Sequence, residues 1–243
     1  MIDIHCHLLP AIDDGAVSLD EAIALAEVAV NDGIKECILT PHIYPGRWDN
    51  NALSINAAME KFRVELDKKS IPLVLNAGGE VRLTDHIFSQ LDGGHLPFLG
   101  RLEGYSLLLL EFPHSHIIPG SSQLVKWLIG KSIKPVIAHP ERNKAIMKDP
   151  GLIDPFLEAG CLLQVTAGAL TGRFGSTAEK VAWQLIEQDS VTFVASDAHN
   201  TRARPPVLSE AFSRIEEKMG SEYAWRIFRD NQRQMLDGKE GSG

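Results

Sequence analysis

The sequence predicts an α/β protein, a seven-stranded β/α barrel related to the eight-stranded form. Three observations predict it. Short, continuous apolar runs recur along the chain and read as strands buried on both faces. Amphipathic helical stretches separate them, which indicates parallel pairing with helices outside. Metal-binding residue types stand at the end of every predicted strand but one. An open doubly wound sheet is the alternative, and the lack of glycine-rich phosphate loops counts against it.

The elements follow in order. Met1 to Cys6 is a strand. Ser18 opens a helix, Glu21 completes a capping box, and Gly33 ends it. Glu36 to Leu39 is the second strand, and Asn51 to Lys69 carries apolar residues at helical spacing. Pro72 to Ala77 and Ser106 to Phe112 are strands, and Ser121 to Lys131 is a helix. Pro135 to Ala138 is a strand, followed by a helix from Leu152 to Ala159 that Gly160 stops. Cys161 to Val165 is a strand, Ser176 to Gln188 a helix, and Val191 to Ala195 the last strand. Two helices close the chain, near Val207 to Met219 and Glu222 to Gln234.

The 243 residues suffice for one domain with a sizeable core. Composition is ordinary for a globular protein, at 44% hydrophobic and 23% charged. No apolar run approaches the ~20 residues of a membrane helix. Asp3, His5 and His7 interrupt the N-terminus at once, so no signal peptide is expected and the location expected is cytoplasmic. A net charge of −8 argues against broad nucleic-acid binding, and part of it reads as ligands awaiting cations. Cys6, Cys37 and Cys161 form no disulfide framework and read as core residues.

The potential ligands have one placement in common. His5 and His7 close the first strand, His42 follows the second and Glu80 the third. Glu111 ends the fourth strand, His139 the fifth, and Asp197 and His199 follow the seventh. Asp14 lies in the loop after the first strand. In β/α barrels these strand ends converge on the face that carries the active site. His-x-His on a strand also points both imidazoles to one side. His114 and His116 share that spacing but lie beyond Pro113 in a loop and read as surface or substrate-side groups, and His86 and His95 lack strand-end placement and read as structural or exposed. Satisfied polar strand ends would explain one or two such residues. They explain poorly a rim of imidazoles and carboxylates whose desolvation costs several kcal/mol each. Divalent cations remove that cost. Nitrogen and oxygen donors without a thiolate favour Mn, Fe, Zn or Mg, and the histidines argue against an all-magnesium site.

The opening Met1-Ile-Asp-Ile-His-Cys-His-Leu-Leu-Pro followed by Asp13-Asp14-Gly15 resembles PHP-domain proteins (polymerase and histidinol phosphatase). More narrowly the chain resembles bacterial CpsB/YwqE-type tyrosine phosphatases of capsule and exopolysaccharide systems. Thr40-Pro41-His42, Gly79-Glu80, Leu110-Glu111-Phe112 and Ala138-His139-Pro140-Glu141-Arg142 carry the likeness onward. Gln164-Val165-Thr166-Ala167-Gly168, Ser196-Asp197-Ala198-His199-Asn200 and Arg204-Pro205-Pro206 complete it. The resemblance runs from residue 1 to about 235 and implies a distorted barrel of PHP type; the domain expected is 1–237, and Gly238 to Gly243 reads from the sequence as a flexible tail. The resemblance also implies three divalent ions, manganese first, with iron or zinc as alternatives. One would take His5, His7, Glu80 and Asp197. A second would share Glu80 and add Glu111 and His139. A third would take Asp14, His42 and His199. Cys6, between the two histidines, departs from the usual small hydroxyl or apolar residue and reads as packing.

Hydrolysis of a phosphate monoester is the reaction expected, with Arg142 and Arg204 clamping phosphate oxygens because a guanidinium fork matches them. Arg47 and Trp48, in the Tyr44-Pro45-Gly46-Arg47-Trp48 loop, are further candidates for substrate contact. The implied partner is a phosphotyrosine protein, an autophosphorylating tyrosine kinase of polysaccharide export. Thiol-based phosphatase chemistry is disfavoured: the position where its loop needs arginine holds Ile12 after Cys6, Ile43 after Cys37 and Ala167 after Cys161. Two readings remain open beside this one. They are a metal-dependent phosphatase for histidinol phosphate or a nucleotide 3′ end, and a non-catalytic metal-stabilised binding module.

Overall fold

Ten short strands form two parallel sheets in the computed structural model, which describes residues 1–240. They are β1 (Ile2–Cys6), β2 (Glu36–Leu39), β3 (His42–Ile43), β4 (Val74–Ala77), β5 (Glu80–Arg82), β6 (Gly100–Leu102), β7 (Tyr105–Glu111), β8 (Ile133–Ala138), β9 (Leu162–Thr166) and β10 (Phe193–Ala195). One sheet has the order β1-β2-β4, and the other β10-β9-β8-β7-β5-β3 with β6 antiparallel on β7. The α/β class and parallel pairing expected from the sequence are present.

The expected barrel is not one closed ladder, and the chain shows why. Thr40-Pro41 separates β2 from β3, since proline has no N–H to give to a ladder. Gly78-Gly79 separates β4 from β5, where a Cβ on Gly78 would come to 2.7 Å from Ile38. Single backbone bonds span the gap, from Gly78 N to Leu39 O at 2.9 Å and Glu80 N to Pro41 O at 3.1 Å. At the other seam Cys6 bridges Ala198 in parallel. There Asp197 N donates to His5 O and His7 N to Ala198 O, both at 2.8 Å.

Helices cover the strands: α1 (Leu19–Asn31), α2 (Ala52–Lys68), α3 (Ile87–Asp92), α4 (Ser121–Gly130), α5 (Lys144–Lys148), α6 (Asp154–Glu158), α7 (Ala167–Leu170), α8 (Ser176–Glu187), α9 (Ser209–Met219), α10 (Ser221–Trp225) and α11 (Asn231–Glu240). Ser18 caps α1 by accepting from Glu21 N at 3.3 Å, while the Glu21 carboxylate accepts from Val17 N at 3.1 Å. A π-helical segment, Arg226–Asp230, joins α10 to α11. The helical run passes through Gly238, beyond the point where the sequence suggests a loose tail; residues 241–243 lie outside the described residues. The β6–β7 hairpin and α3 have no counterpart in the sequence reading. That hairpin turns at Glu103 and Gly104, both at positive φ, as a two-residue turn requires.

Alternation along the strands builds two apolar layers. Leu107 and Leu109 join one cluster with Ile4, Ile38, Val136, Phe193 and Met235. Leu108 and Leu110 join the larger cluster beneath the helices. Strands buried on both faces are the reason the sequence shows them as unbroken apolar runs. Cys6, Cys37 and Cys161 are buried and unpaired. No described helix is long and apolar enough to cross a membrane.

Candidate active site

Local backbone geometry aims the side chains. His5 and His7 alternate along β1, and Cys6 between them turns away and lies 3.5 Å from Ile38 O. His139 and Asp197 have φ values of 34° and 51°, so each leaves its strand in the left-handed region. Such conformations cost of order 1–3 kcal/mol and cluster at functional sites. Gly15 lets the Asp13-Asp14 loop fold onto β1, since a Cβ there would meet His7 O at 2.1 Å.

All nine candidate ligands come to one cleft or its floor, and four of their atoms face one another. His5 Nε2 and His7 Nε2 are 3.2 Å apart. Glu80 Oε2 lies 3.4 Å from each, and Asp197 Oδ1 lies 3.2 Å from His5 and 3.4 Å from His7. His139 Nε2 is 2.8 Å from Glu80 Oε1. His42 Nδ1 lies 2.9 Å from Glu80 Oε2 and 3.9 Å from Glu111 Oε2. On the far side, Asp14 Oδ1 is 3.3 Å from His42 Nε2 and 3.5 Å from His199 Nε2. Glu111 therefore groups with His42 and Glu80, while His139 groups with His5 and Asp197.

The outer nitrogens decide what the inner ones can do. His5 Nδ1 meets Gln164 Oε1 at 2.8 Å, and His7 Nδ1 meets Asp13 Oδ2 at 2.6 Å. Each outer partner is an acceptor, which places the ring proton on Nδ1 and leaves the Nε2 lone pair inward. Two lone pairs then oppose two carboxylate oxygens. Glu80 Oε2, Asp197 Oδ1 and His199 Nε2 are buried without a hydrogen-bond partner. Such a set has acceptors and no donor, so it fits cations.

Without a cation, protons fill the role. Burial opposes charge on His5 and His7, but Glu80 and Asp197 outweigh it at His5, and Asp13 leads at His7, so both pKa values rise. Burial opposes charge on His42 too, yet Glu80 and Asp14 raise its pKa to about 10. Burial would raise the pKa of Glu80 and Asp197, but His5 and its neighbours hold both carboxyls well below the usual range. His139 and His199 go the other way: burial lowers both, helped by Arg142 and His7 respectively.

The cleft measures about 590 Å³, and its walls include Arg47, Arg82, Arg142, Arg204, Tyr44 and Trp48. Arg142 and Arg204 both donate to Asp197 Oδ2, and Arg82 Nη1 meets Glu111 Oε2 at 2.8 Å. His86, His95, His114 and His116 are exposed, as expected. The sequence reading missed Asp13 and Gln164 as groups that orient imidazoles, and Arg82 as a cleft residue. Asp13 stood in the Asp-Asp-Gly motif, but nothing in a linear chain shows which aspartate faces inward. Glu141 was missed as well: burial pushes its pKa up to about 7, against the bond it accepts from Thr166 N at 2.9 Å.

Comparison with known proteins follows from this geometry. The family model "Capsular polysaccharide synthesis, CpsB/CapC" matches residues 1–237. The chain is 37% identical to the tyrosine-protein phosphatase YwqE of Bacillus subtilis, over 93% of this chain and 88% of that one. It superposes, with a TM-score of 0.91 and 36% identity over 98% of this chain and 95% of the other, on a solved structure. That structure is described as one of YwqE from Bacillus subtilis and CpsB from Streptococcus pneumoniae, unique metal-dependent tyrosine phosphatases. An organophosphorus hydrolase from Deinococcus radiodurans, 13% identical with a TM-score of 0.57 over 96% and 92% of the two chains, shares the fold alone.

Proposed function

We infer the function from family membership, for the chain belongs to the CpsB/CapC family of capsular polysaccharide synthesis. It is a metal-dependent phosphomonoester hydrolase that acts on phosphotyrosine in protein. The observation that carries this reading is the convergence of His5, His7, Glu80 and Asp197, four buried acceptors with no donor among them.

His5, His7, Glu80 and Asp197 would hold one divalent ion. The family likeness would give a second ion to Glu80, Glu111 and His139, although here Glu111 stands with His42 and Glu80, and His139 with His5 and Asp197; Asp14, His42 and His199 would hold a third, manganese being the first choice and iron or zinc the others. Bound divalent ions would lower the pKa of a coordinated water toward neutrality and bring positive charge to phosphate. The protein's own groups bind and orient. Arg142 and Arg204 each spend donors on Asp197 and keep others for phosphate oxygens, since a guanidinium has five N–H groups. Arg82 and Arg47 add charge at the mouth, and Tyr44 offers an aromatic ring to an aryl ester. A phenolate leaves with a pKa near 10, so an aryl ester needs less proton assistance than an alkyl one.

The partner proposed is an autophosphorylating tyrosine kinase of polysaccharide export, met on the cytoplasmic side of the membrane. Rates on a phosphotyrosine peptide, histidinol phosphate and a short oligonucleotide, measured side by side with manganese-loaded protein, test the substrate. The phosphotyrosine peptide should be fastest, and preference for either other substrate overturns the assignment. Chelators should abolish the activity and thiol reagents should not. Dephosphorylation of the co-encoded kinase tests the partner.

A further inference from the structure

A second depression adjoins the cleft and differs from it in kind. It measures about 830 Å³ and is lined mainly by apolar groups, among them Leu83, Ile118, Leu124, Phe88 and Trp127. Phe88 and Trp127 are 45% and 37% exposed, and their rings meet edge-on with centroids 4.9 Å apart. Scattered exposed aliphatic residues are ordinary, whereas paired exposed aromatic rings in a concave surface mark an interaction site. The same chain segment builds both depressions. Arg82 lines the cleft, and Leu83 and Thr84 line the groove. Leu83 N donates to the carbonyl of Glu111 at 2.9 Å, which ties the groove wall to the cleft wall. Thr84 stands two positions after Arg82, so their Cα atoms are at most about 7 Å apart.

We propose that this groove receives an apolar side chain of the substrate peptide, a few residues from its phosphotyrosine. The proposal rests on the phosphotyrosine reading above. The cleft, walled by arginines, recognises a phosphate and a ring and so treats all phosphotyrosines alike. The groove is suited to discriminate among them. An extended peptide advances about 3.3 Å per residue, so two to four residues carry it from the cleft into the groove. A depression that takes one or two side chains falls far short of the roughly 800 Å² that each partner covers in a stable dimer. A peptide segment therefore fits it better than a second copy of the chain.

The test uses labelled peptides in which a non-hydrolysable phosphonate replaces phosphotyrosine. The second to fourth residues on both sides are all leucine in one peptide and all serine in the other. Fluorescence anisotropy with the manganese-loaded protein reads binding without turnover. The leucine peptide should bind ~10-fold tighter to the wild type, in line with the loss of one interfacial anchor. Trp127→Ala and Phe88→Ala should each erase most of that advantage, while hydrolysis of para-nitrophenyl phosphate stays at the wild-type rate. Equal binding of the two peptides to the wild type, or an advantage that survives in both variants, overturns the proposal. A dimer in sedimentation that Trp127→Ala dissociates would assign the groove to a second copy and overturn it too. Failure of the wild type to hydrolyse any aryl phosphate sinks the functional reading instead, because the binding comparison needs no turnover.

Discussion

Trp48 lies flat against His42, with ring centroids 4.7 Å apart and planes 14° from parallel. On the same indole, the Arg47 guanidinium carbon stands 4.1 Å from the ring centroid. Asn50 holds the His42 carbonyl at 2.9 Å. The loop thus acts as a mould that fixes one imidazole before any ligand arrives. Trp48→Ala should loosen His42 and lower affinity for the ion proposed to sit with His42, Asp14 and His199 by ~10-fold, the lower range for loss of a group that orients a ligand. Metal titration followed by elemental analysis checks this; an unchanged isotherm counts against it.

Asp13 should matter through the groups it orients, His7 by its ring and His42 by its backbone N–H, which donates to Asp13 Oδ2 at 3.0 Å. Its Oδ2 accepts from His7 Nδ1 at 2.6 Å, and Oδ1 accepts from Gly15 N at 2.9 Å. Asp13→Ala frees the ring to adopt the wrong tautomer, and metal affinity should fall ~10–100-fold. Activity should return at high manganese concentration, which distinguishes lost orientation from lost folding.

Arg142 and Arg204 should not tolerate lysine. A point charge replaces the charge but not the fork. Each lysine variant should lose ~10²-fold in kcat/KM, on the scale of one transition-state donor. Because both arginines also contact Asp197, metal content must be measured alongside; a kinetic loss that tracks lost metal would refute a role in holding phosphate.

Protons and cations compete for the same imidazoles. In the metal-free fold, His42 has a pKa raised from 6.5 to about 10. A raised folded value means stability that is complete below pH 6.5 and is lost as pH climbs through 10. The melting temperature of the chelated protein should therefore fall across that window, and His42→Asn should flatten part of the slope. Metal affinity should rise with pH over the same window, with proton release visible by calorimetry in buffers of different ionisation enthalpy. A chelated protein that grows more stable toward pH 10 would contradict this.

Gly15→Ala should damage the site from the backbone. Its Cβ would lie 2.1 Å from the His7 carbonyl and 2.6 Å from the His7 Cβ, so the loop bearing Asp13 and Asp14 must move. Overpacking of this kind costs ~1–3 kcal/mol. Thermal denaturation should show the loss, together with reduced metal content; full retention of both would show that the loop yields freely.

Much of this was readable in the chain because strand ends and chemistry coincide. His5, His7, Glu111 and His139 follow from apolar runs that stop at ligand-type residues. Period-two alternation also gave the side of β1 on which Cys6 packs. What escaped has two causes. Gln164 and Arg82 act on partners far away in sequence, His5 across 159 positions and Glu111 on another strand, whereas Asp13 is six positions from His7 and only the folded loop shows that it, and not Asp14, faces that ring. The split of the second and third predicted strands at Pro41 and at Gly78-Gly79 was marked by proline and glycine but not by hydrophobicity. The positive φ of His139 and Asp197 has no signature in residue type, and the two-residue turn at Glu103-Gly104 was too brief for a periodic signal.

The seam between β1 and β10 has a temporal consequence. Asp197, whose backbone N–H meets the His5 carbonyl, leaves the ribosome 192 residues after His5. At 5–20 residues per second, roughly 10 to 40 s pass between them. Over that interval the nascent chain carries only three of the four ligands proposed for the first ion, His5, His7 and Glu80, so ribosome-bound chains arrested before Asp197 should retain less manganese than released chains that contain it.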